Sequence, residues 1–236
     1  MRLAMWSGPR NISTAMMRSW ENRPDTKVVD EPLYAYYLNE TGLSHPVRDE
    51  VIAAGETSWQ SVVADLTAPV QAPYGVYYQK QMTHHLIPQL PRDWIAQLTN
   101  VLLIRDPDEV AASYVRSRTE IVAEDIGLVQ EAELFDQLGG TPPVIDAADF
   151  LRGPEAYSRW LCEFVGVGFS DAMLHWPPGP RDSDGVWAPH WYSAVLASTG
   201  FEPYRRRPAE LHGPALEAAR VSRPHYERLH AVRVVL

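Results

Sequence analysis

A three-layer α/β fold with a central, mostly parallel sheet of about five strands is predicted by two features of the sequence. Short apolar or β-branched runs alternate with segments of helical period, which is the pattern of repeated β-α units. Residues 101–104, Val-Leu-Leu-Ile, are unbroken by a polar residue, as a central parallel strand covered on both faces requires.

The elements follow in order. Residues 3–6 form the first strand, which stops at Ser7-Gly8-Pro9; a helix then starts near Asn11 and carries Ile12, Ala15, Met16 and Ser19 on one side. Asn11 or Ser13 is its expected N-cap. Residues 27–31 are the second strand, closed by Pro32, and residues 34–38 are helical. Residues 41–56, with Gly42, His45-Pro46 and Gly55, read as a loop before a helix over 57–66 capped by Thr57 or Ser58. Residues 75–80, rich in Val and Tyr, are the third strand and lead into Met82-Thr83-His84-His85. A short helix over 93–98 precedes the fourth strand, residues 100–104. Pro107 at a first helical position opens a helix to about Arg118. Residues 129–138 are helical, 143–147 are the fifth strand, 154–165 are an amphipathic helix ended by Gly166, and 214–230 are a charged final helix.

A chain of 236 residues that is 45% hydrophobic is expected to fold as one domain over 1–236. An aromatic-rich C-terminal extension starts at about residue 173 and holds Trp176, Trp187, Trp191 and Tyr192. The net charge of −9 argues against a nucleic-acid partner, because a polyanion needs a compensating basic surface. Any basic patch must be local. The single cysteine, Cys162, excludes an internal disulfide and a cysteine metal cluster, and its place among apolar neighbours reads as a buried structural thiol. No apolar run approaches 18 residues, and the N-terminal one is too short for a signal peptide. A bacterial-type, cytoplasmic protein without a membrane partner is the expectation.

In open parallel sheets ligands bind beyond the carboxyl ends of the strands. The first such end offers Arg10, Asn11, Ile12, Ser13 and Thr14 at a helix start, where unpaired N–H groups and the helix dipole favour an anion. The second offers Asp30 and Glu31, the third Lys80 to His85, the fourth Arg105, with Ser113 eight residues on, and the fifth Asp146 and Asp149. Neither GxxxxGK[ST] nor GxGxxG occurs, which disfavours ATP hydrolysis and dinucleotide binding.

The motif Pro9-Arg10-Asn11-Ile12-Ser13-Thr14 resembles the 5′-phosphosulfate loop of sulfotransferases, Pro-Lys/Arg-Ser-Gly-Thr-Thr. Leu103-Ile104-Arg105-Asp106-Pro107 with Ser113 resembles their 3′-phosphate motif, and residues 144–166 are similar to the segment that follows in bacterial members. The resemblance covers most of residues 1–170. It implies a P-loop sulfotransferase-like fold and a co-substrate, 3′-phosphoadenosine 5′-phosphosulfate. Arg10, Asn11, Ile12, Ser13 and Thr14 would surround the sulfate end, with Arg105 and Ser113 on the 3′-phosphate. It implies no metal and a small-molecule acceptor with a hydroxyl or amine.

Two candidates compete for the base that deprotonates the acceptor. Glu31 in Asp-Glu-Pro resembles the Glu-Pro of bacterial sulfotransferases, and His84 in Met-Thr-His resembles the Lys-Thr-His of the cytosolic enzymes. Glu31 is preferred, with His84 or His85 second; adjacent residues face apart, so one histidine at most acts. Arg10 is the candidate cation for the transferring group. Three departures stand out: Asn11-Ile12 replaces Ser-Gly, Met82 replaces the lysine before Thr83, and the C-terminal Arg-Lys-Gly is missing, with Arg205 to Arg207 as a substitute. The alternatives are a sulfotransferase-fold protein acting on a phosphorylated or acidic small molecule without that donor, and a non-catalytic anion-binding protein.

Overall fold

The computed structural model describes residues 1–116, 121–206 and 210–236. The chain runs β1 (Arg2–Ser7), α1 (Ser13–Glu21), β2 (Thr26–Asp30), α2 (Tyr34–Thr41), α3 (Arg48–Ala54), α4 (Trp59–Thr67) and β3 (Val76–Met82). After two 3₁₀ turns, Thr83–His85 and Asp93–Gln97, come β4 (Thr99–Ile104), α5 (Pro107–Tyr114), α6 (Ala123–Ile126) and α7 (Leu128–Gln137). The remainder holds β5 (Val144–Asp146), α8 (Ala147–Arg152), α9 (Pro154–Val165), α10 (Ala188–Trp191), α11 (Ser193–Leu196) and α12 (Gly213–Ala231).

The strands form one sheet in the order β2-β3-β1-β4-β5, with every pairing parallel. The expected three-layer α/β architecture is therefore present, with β1 at the centre. The period of two in β1 sends Leu3 and Met5 to one face and Ala4 and Trp6 to the other. On the first face α1, α8 and α9 contribute Met16, Trp20, Phe150 and Leu161; on the second α4, α5, α7 and α12 contribute Leu66, Val110, Leu134 and Leu229. Both faces are covered, which is why residues 101–104 of β4 are apolar without a break. Among the described residues no helix is long and apolar enough to cross a membrane.

Several boundaries differ from the expectation. Residues 41–56 are not all loop: α3 lies within them, entered through Val47 at φ 54° and held by the burial of Val51. α1 is capped by neither Asn11 nor Ser13; its N-cap is Ile12, which has no side-chain acceptor, because the Asn11 amide is used elsewhere. Ser58 does cap α4, accepting from Ser61 N. α5 ends at Tyr114, and the expected end at Arg118 lies outside the described residues. α8 has no counterpart in the sequence reading; Asp146 makes it by accepting from the amides of Ala148 and Asp149. Cys162 is buried on α9, and burial pushes its thiol pKa up.

One buried carboxyl belongs to the packing rather than to the strand ends. Glu131 on α7 is fully buried, and neither of its oxygens has a hydrogen-bond partner among the described residues; the Leu103 backbone faces it. Burial pushes its pKa well above the ordinary glutamate value, so the fold holds it protonated where the unfolded chain ionises it. Stability is then lost as pH rises above about 4.3 towards the folded pKa, at about 1.4 kcal/mol per unit of difference. Glu131→Gln is expected to flatten that slope in urea denaturation measured from pH 5 to 8. An unchanged slope would show an ionised carboxylate.

Candidate active site

The turn after β1 is fixed by close packing. A Cβ on Gly8 would stand 2.0 Å from the Ile126 carbonyl oxygen, so only glycine lets α6 approach. Arg10 follows in the left-handed region at φ 56°, a strained conformation for a side chain with a Cβ. Asn11 Nδ2 donates to the Leu103 carbonyl at 2.6 Å, while its Oδ1 accepts from Ile12 N at 2.8 Å. Where the family loop has Ser-Gly, this chain thus has a side chain that pins the loop to β4. The first intrahelical bond of α1 runs from Met16 N to Ile12 O, so the amides of Ser13, Thr14 and Ala15 precede it and form the anion-attracting end of the helix.

Arg10 joins the two halves that the motifs suggest separately. Its Nε donates to Ser113 Oγ at 3.0 Å, and its carbonyl accepts from an Arg105 terminal nitrogen at 2.7 Å. Glu109 receives Arg105 Nε at 3.1 Å and a second Arg105 nitrogen at 2.9 Å, and its other oxygen accepts from Tyr204 at 2.7 Å. Burial, then the charges of Arg105 and Arg116, hold the Arg10 guanidinium below its usual range. Like charges held this close favour an anion between them. Exposed Arg205 lines a neighbouring cleft with Arg105 and Ser113, whereas Arg207 lies outside the described residues.

The opposite end is built on carboxylates. β2 ends at Asp30, and Glu31 turns out of the strand at φ 45° while its amide still donates to Lys80 O at 3.0 Å. Buried Lys80 donates to Asp30 at 2.8 Å, to Glu31 Oε1 at 2.7 Å and to the Tyr192 hydroxyl at 2.6 Å. Burial pushes Glu31 up, the neighbouring Asp30 adds to this, and Lys80 only partly offsets it. Burial alone would push Lys80 down, but Asp30 and Glu31 outweigh it and its pKa rises. His84 is pushed down to about 3 by burial and the Lys80 charge, so it is neutral at pH 7. His85 is lowered in the same way, with His84 as a further cause.

The loop, Arg105 and Ser113 share one cavity of about 360 Å³ with Glu31, Lys80 and His84. Of the residues that the resemblance assigns to the donor or the base, His85 alone does not line it. It is buried and stacked between Tyr34 and Tyr37 at centroid distances of 5.0 and 4.8 Å, with Nε2 3.9 Å from Glu31 Oε2. The two histidine rings touch at a centroid distance of 4.3 Å, with His85 buried and His84 half-buried on the cavity wall. Tyr34, His45, Trp191 and Tyr192 complete the wall beside Glu31. Sequence reasoning placed Trp191 and Tyr192 in an aromatic tail and Asp30 at a strand end without linking them; no motif links residues 162 positions apart.

A separate group, Asp146, Asp149 and His230, brings possible metal-ligand atoms within 4.8 Å of one another. Its oxygens are already engaged: Asp149 accepts from Arg152 at 2.6 Å and Arg233 at 2.7 Å, and Asp146 caps α8.

Comparison with known proteins bears on the family and the fold. The family model for the sulfotransferase domain matches residues 1–230. Two curated proteins of Arabidopsis thaliana are similar: branched-chain-amino-acid aminotransferase-like protein 1, 37% identical over 211 residues, and protein 2, 34% identical over 207. Each match takes in 86% of this chain but 37% and 36% of the relative, so the chain spans little more than a third of their length. Among solved structures, the sulfotransferase from Alicyclobacillus acidocaldarius matches with a TM-score of 0.55 at 13% identity, covering 99% of this chain and 96% of that one. The sulfotransferase domain of the Synechococcus PCC 7002 olefin synthase matches at 0.51 and 17%, covering 93% of each. At these identities the likeness concerns the fold.

Proposed function

Because this chain belongs to the sulfotransferase domain family, we propose that it moves a sulfuryl group from 3′-phosphoadenosine 5′-phosphosulfate to a hydroxyl or amine of a small-molecule acceptor. The observation that carries the proposal is the single cavity with an anion grip at one end and a carboxylate at the other. Arg10, the α1 amides, Ser13 and Thr14 would take the 5′-phosphosulfate, and Arg105 with Ser113 the 3′-phosphate. The acceptor oxygen forms a bond to sulfur as the bond from sulfur to the bridging oxygen breaks. The acceptor proton goes to the base, and 3′-phosphoadenosine 5′-phosphate leaves. Positioning and charge neutralisation supply most of the rate, because the protein forms no covalent bond.

Glu31 is the base in this scheme. Lys80 grips its Oε1, leaving Oε2 outside that pairing, and a raised carboxyl pKa is better matched to proton abstraction near neutrality. His84, with a pKa of about 3, is a weaker base and serves as a hydrogen-bonding wall. Met82 is buried where a lysine is expected and Lys80 is committed to its carboxylates, so Arg10 is the cation for the departing phosphate oxygen.

Calorimetric titration with 3′-phosphoadenosine 5′-phosphate tests the reading. Micromolar binding that weakens as salt is raised is expected. Absence of binding would overturn it and return the cleft to another acidic small molecule.

A further inference from the structure

The Lys80 ammonium has three N–H donors, and Asp30, Glu31 and Tyr192 take all three at 2.8, 2.7 and 2.6 Å. The Tyr192 oxygen is used as fully. It accepts from Lys80 and from Trp187 Nε1 at 3.0 Å, and it donates to Asp30 Oδ2 at 2.6 Å. Removing one partner from such a buried, satisfied network leaves the remaining groups to rearrange.

We infer that Tyr192 is a positioning residue for Glu31, acting through Lys80: it occupies the third ammonium donor, fixes the rotation of that group, and so holds Glu31 by Oε1. Without the tyrosine hydroxyl, Lys80 is free to turn from Glu31 towards Asp30, which has lost the short hydrogen bond from Tyr192 to its Oδ2. Lys80 is then a clamp on the base and does not reach the transferring sulfuryl group. The segment that carries Tyr192 is itself anchored beside β2, since Gly185 N donates to Asp30 Oδ2 at 3.4 Å.

The groups facing Glu31 are Asp30 from β2, Lys80 from β3, His84 and His85 from the turn that follows, Tyr34 from α2 and Tyr192 from the C-terminal segment. Arg10 lies across the same cavity. Of these, Lys80 and the Tyr192 hydroxyl favour the ionised carboxylate, and Asp30 opposes it. Opposite effects are therefore expected from two substitutions in one network.

The experiment is a carboxyl ¹³C titration of glutamate-labelled protein, with the Glu31 signal assigned by its loss in Glu31→Gln. Tyr192→Phe is expected to raise the Glu31 midpoint by about half a unit to one unit, and Asp30→Asn to lower it by about one unit. This measurement needs no turnover, so it stands apart from the sulfuryl-transfer reading on which the kinetic role rests. In the kinetic arm, Tyr192→Phe should reduce kcat at least tenfold with the donor KM unchanged, and move the acid limb of the rate profile upward. An unmoved midpoint in Tyr192→Phe, or shifts of the same sign in both variants, overturns the inference. If Tyr192→Phe fails to fold, Asp30→Asn decides, and an unmoved midpoint there overturns it equally. Shifted midpoints in a protein that does not bind the donor product would sustain the clamp and overturn the sulfuryl-transfer reading instead.

Discussion

Glu31→Gln is expected to lower turnover about a thousandfold while calorimetric affinity for 3′-phosphoadenosine 5′-phosphate stays within about twofold, the split expected for loss of a general base. Glutamine keeps the shape and can still accept from Lys80, so the donor end should be undisturbed. The wild-type rate should rise with pH. The competent form of Glu31 is the carboxylate, and burial raises its pKa, so activity falls as pH drops through a value above the ordinary glutamate range. A glutamine variant that retains more than a tenth of wild-type turnover would remove Glu31 from the role and leave His84 to be tested next.

Arg105→Ala is expected to weaken binding of the same nucleotide at least a hundredfold, because a charge-assisted contact to the 3′-phosphate is lost. Two further losses add to this. Arg105 donates to the Arg10 carbonyl and so supports the loop in its left-handed turn, and it neutralises Glu109. Once unpaired, that carboxylate would stand beside the site where the phosphate binds and repel it. Adding Glu109→Ala should therefore restore part of the affinity, and a thermodynamic cycle over the two positions measures the coupling. Unchanged affinity in the single variant would place the 3′-phosphate elsewhere.

The parallel sheet was legible because its strands are short, rich in apolar and β-branched residues, and separated by helical segments. The Val-Leu-Leu-Ile run demands cover on both faces, and the fold provides it. α9 was legible for a second reason: Pro154 starts it and Gly166, at φ 75°, ends it. α3 was not, since it is seven residues long, begins after a left-handed Val47 and is stabilised by tertiary packing that local pattern does not encode. Residues 9–14 and Arg105 with Ser113 were legible as motifs at one edge of the sheet, although the bond between Arg10 and Ser113 was not. The Asp30, Lys80 and Tyr192 network was out of reach, because its members come from three distant segments and each has an ordinary explanation alone. Asn11 shows the reverse: it departs from the motif, and its amide donates to the Leu103 carbonyl, a partner that sequence does not reveal.

Asp184 and Ser183 reach back to α1, where Arg18 meets Asp184 at 2.6 Å and Glu21 accepts from Ser183 at 2.5 Å. These partners are separated by 166 and 162 residues, so closing that loop costs about 4–5 kcal/mol of chain entropy beyond a constant. Residues 2–165 hold every strand and α9, so the Lys80 contact with Tyr192 forms only once this long loop has closed. Slow steps in refolding should appear at the acceptor end, where Trp187 and Trp191 supply a fluorescence signal of their own.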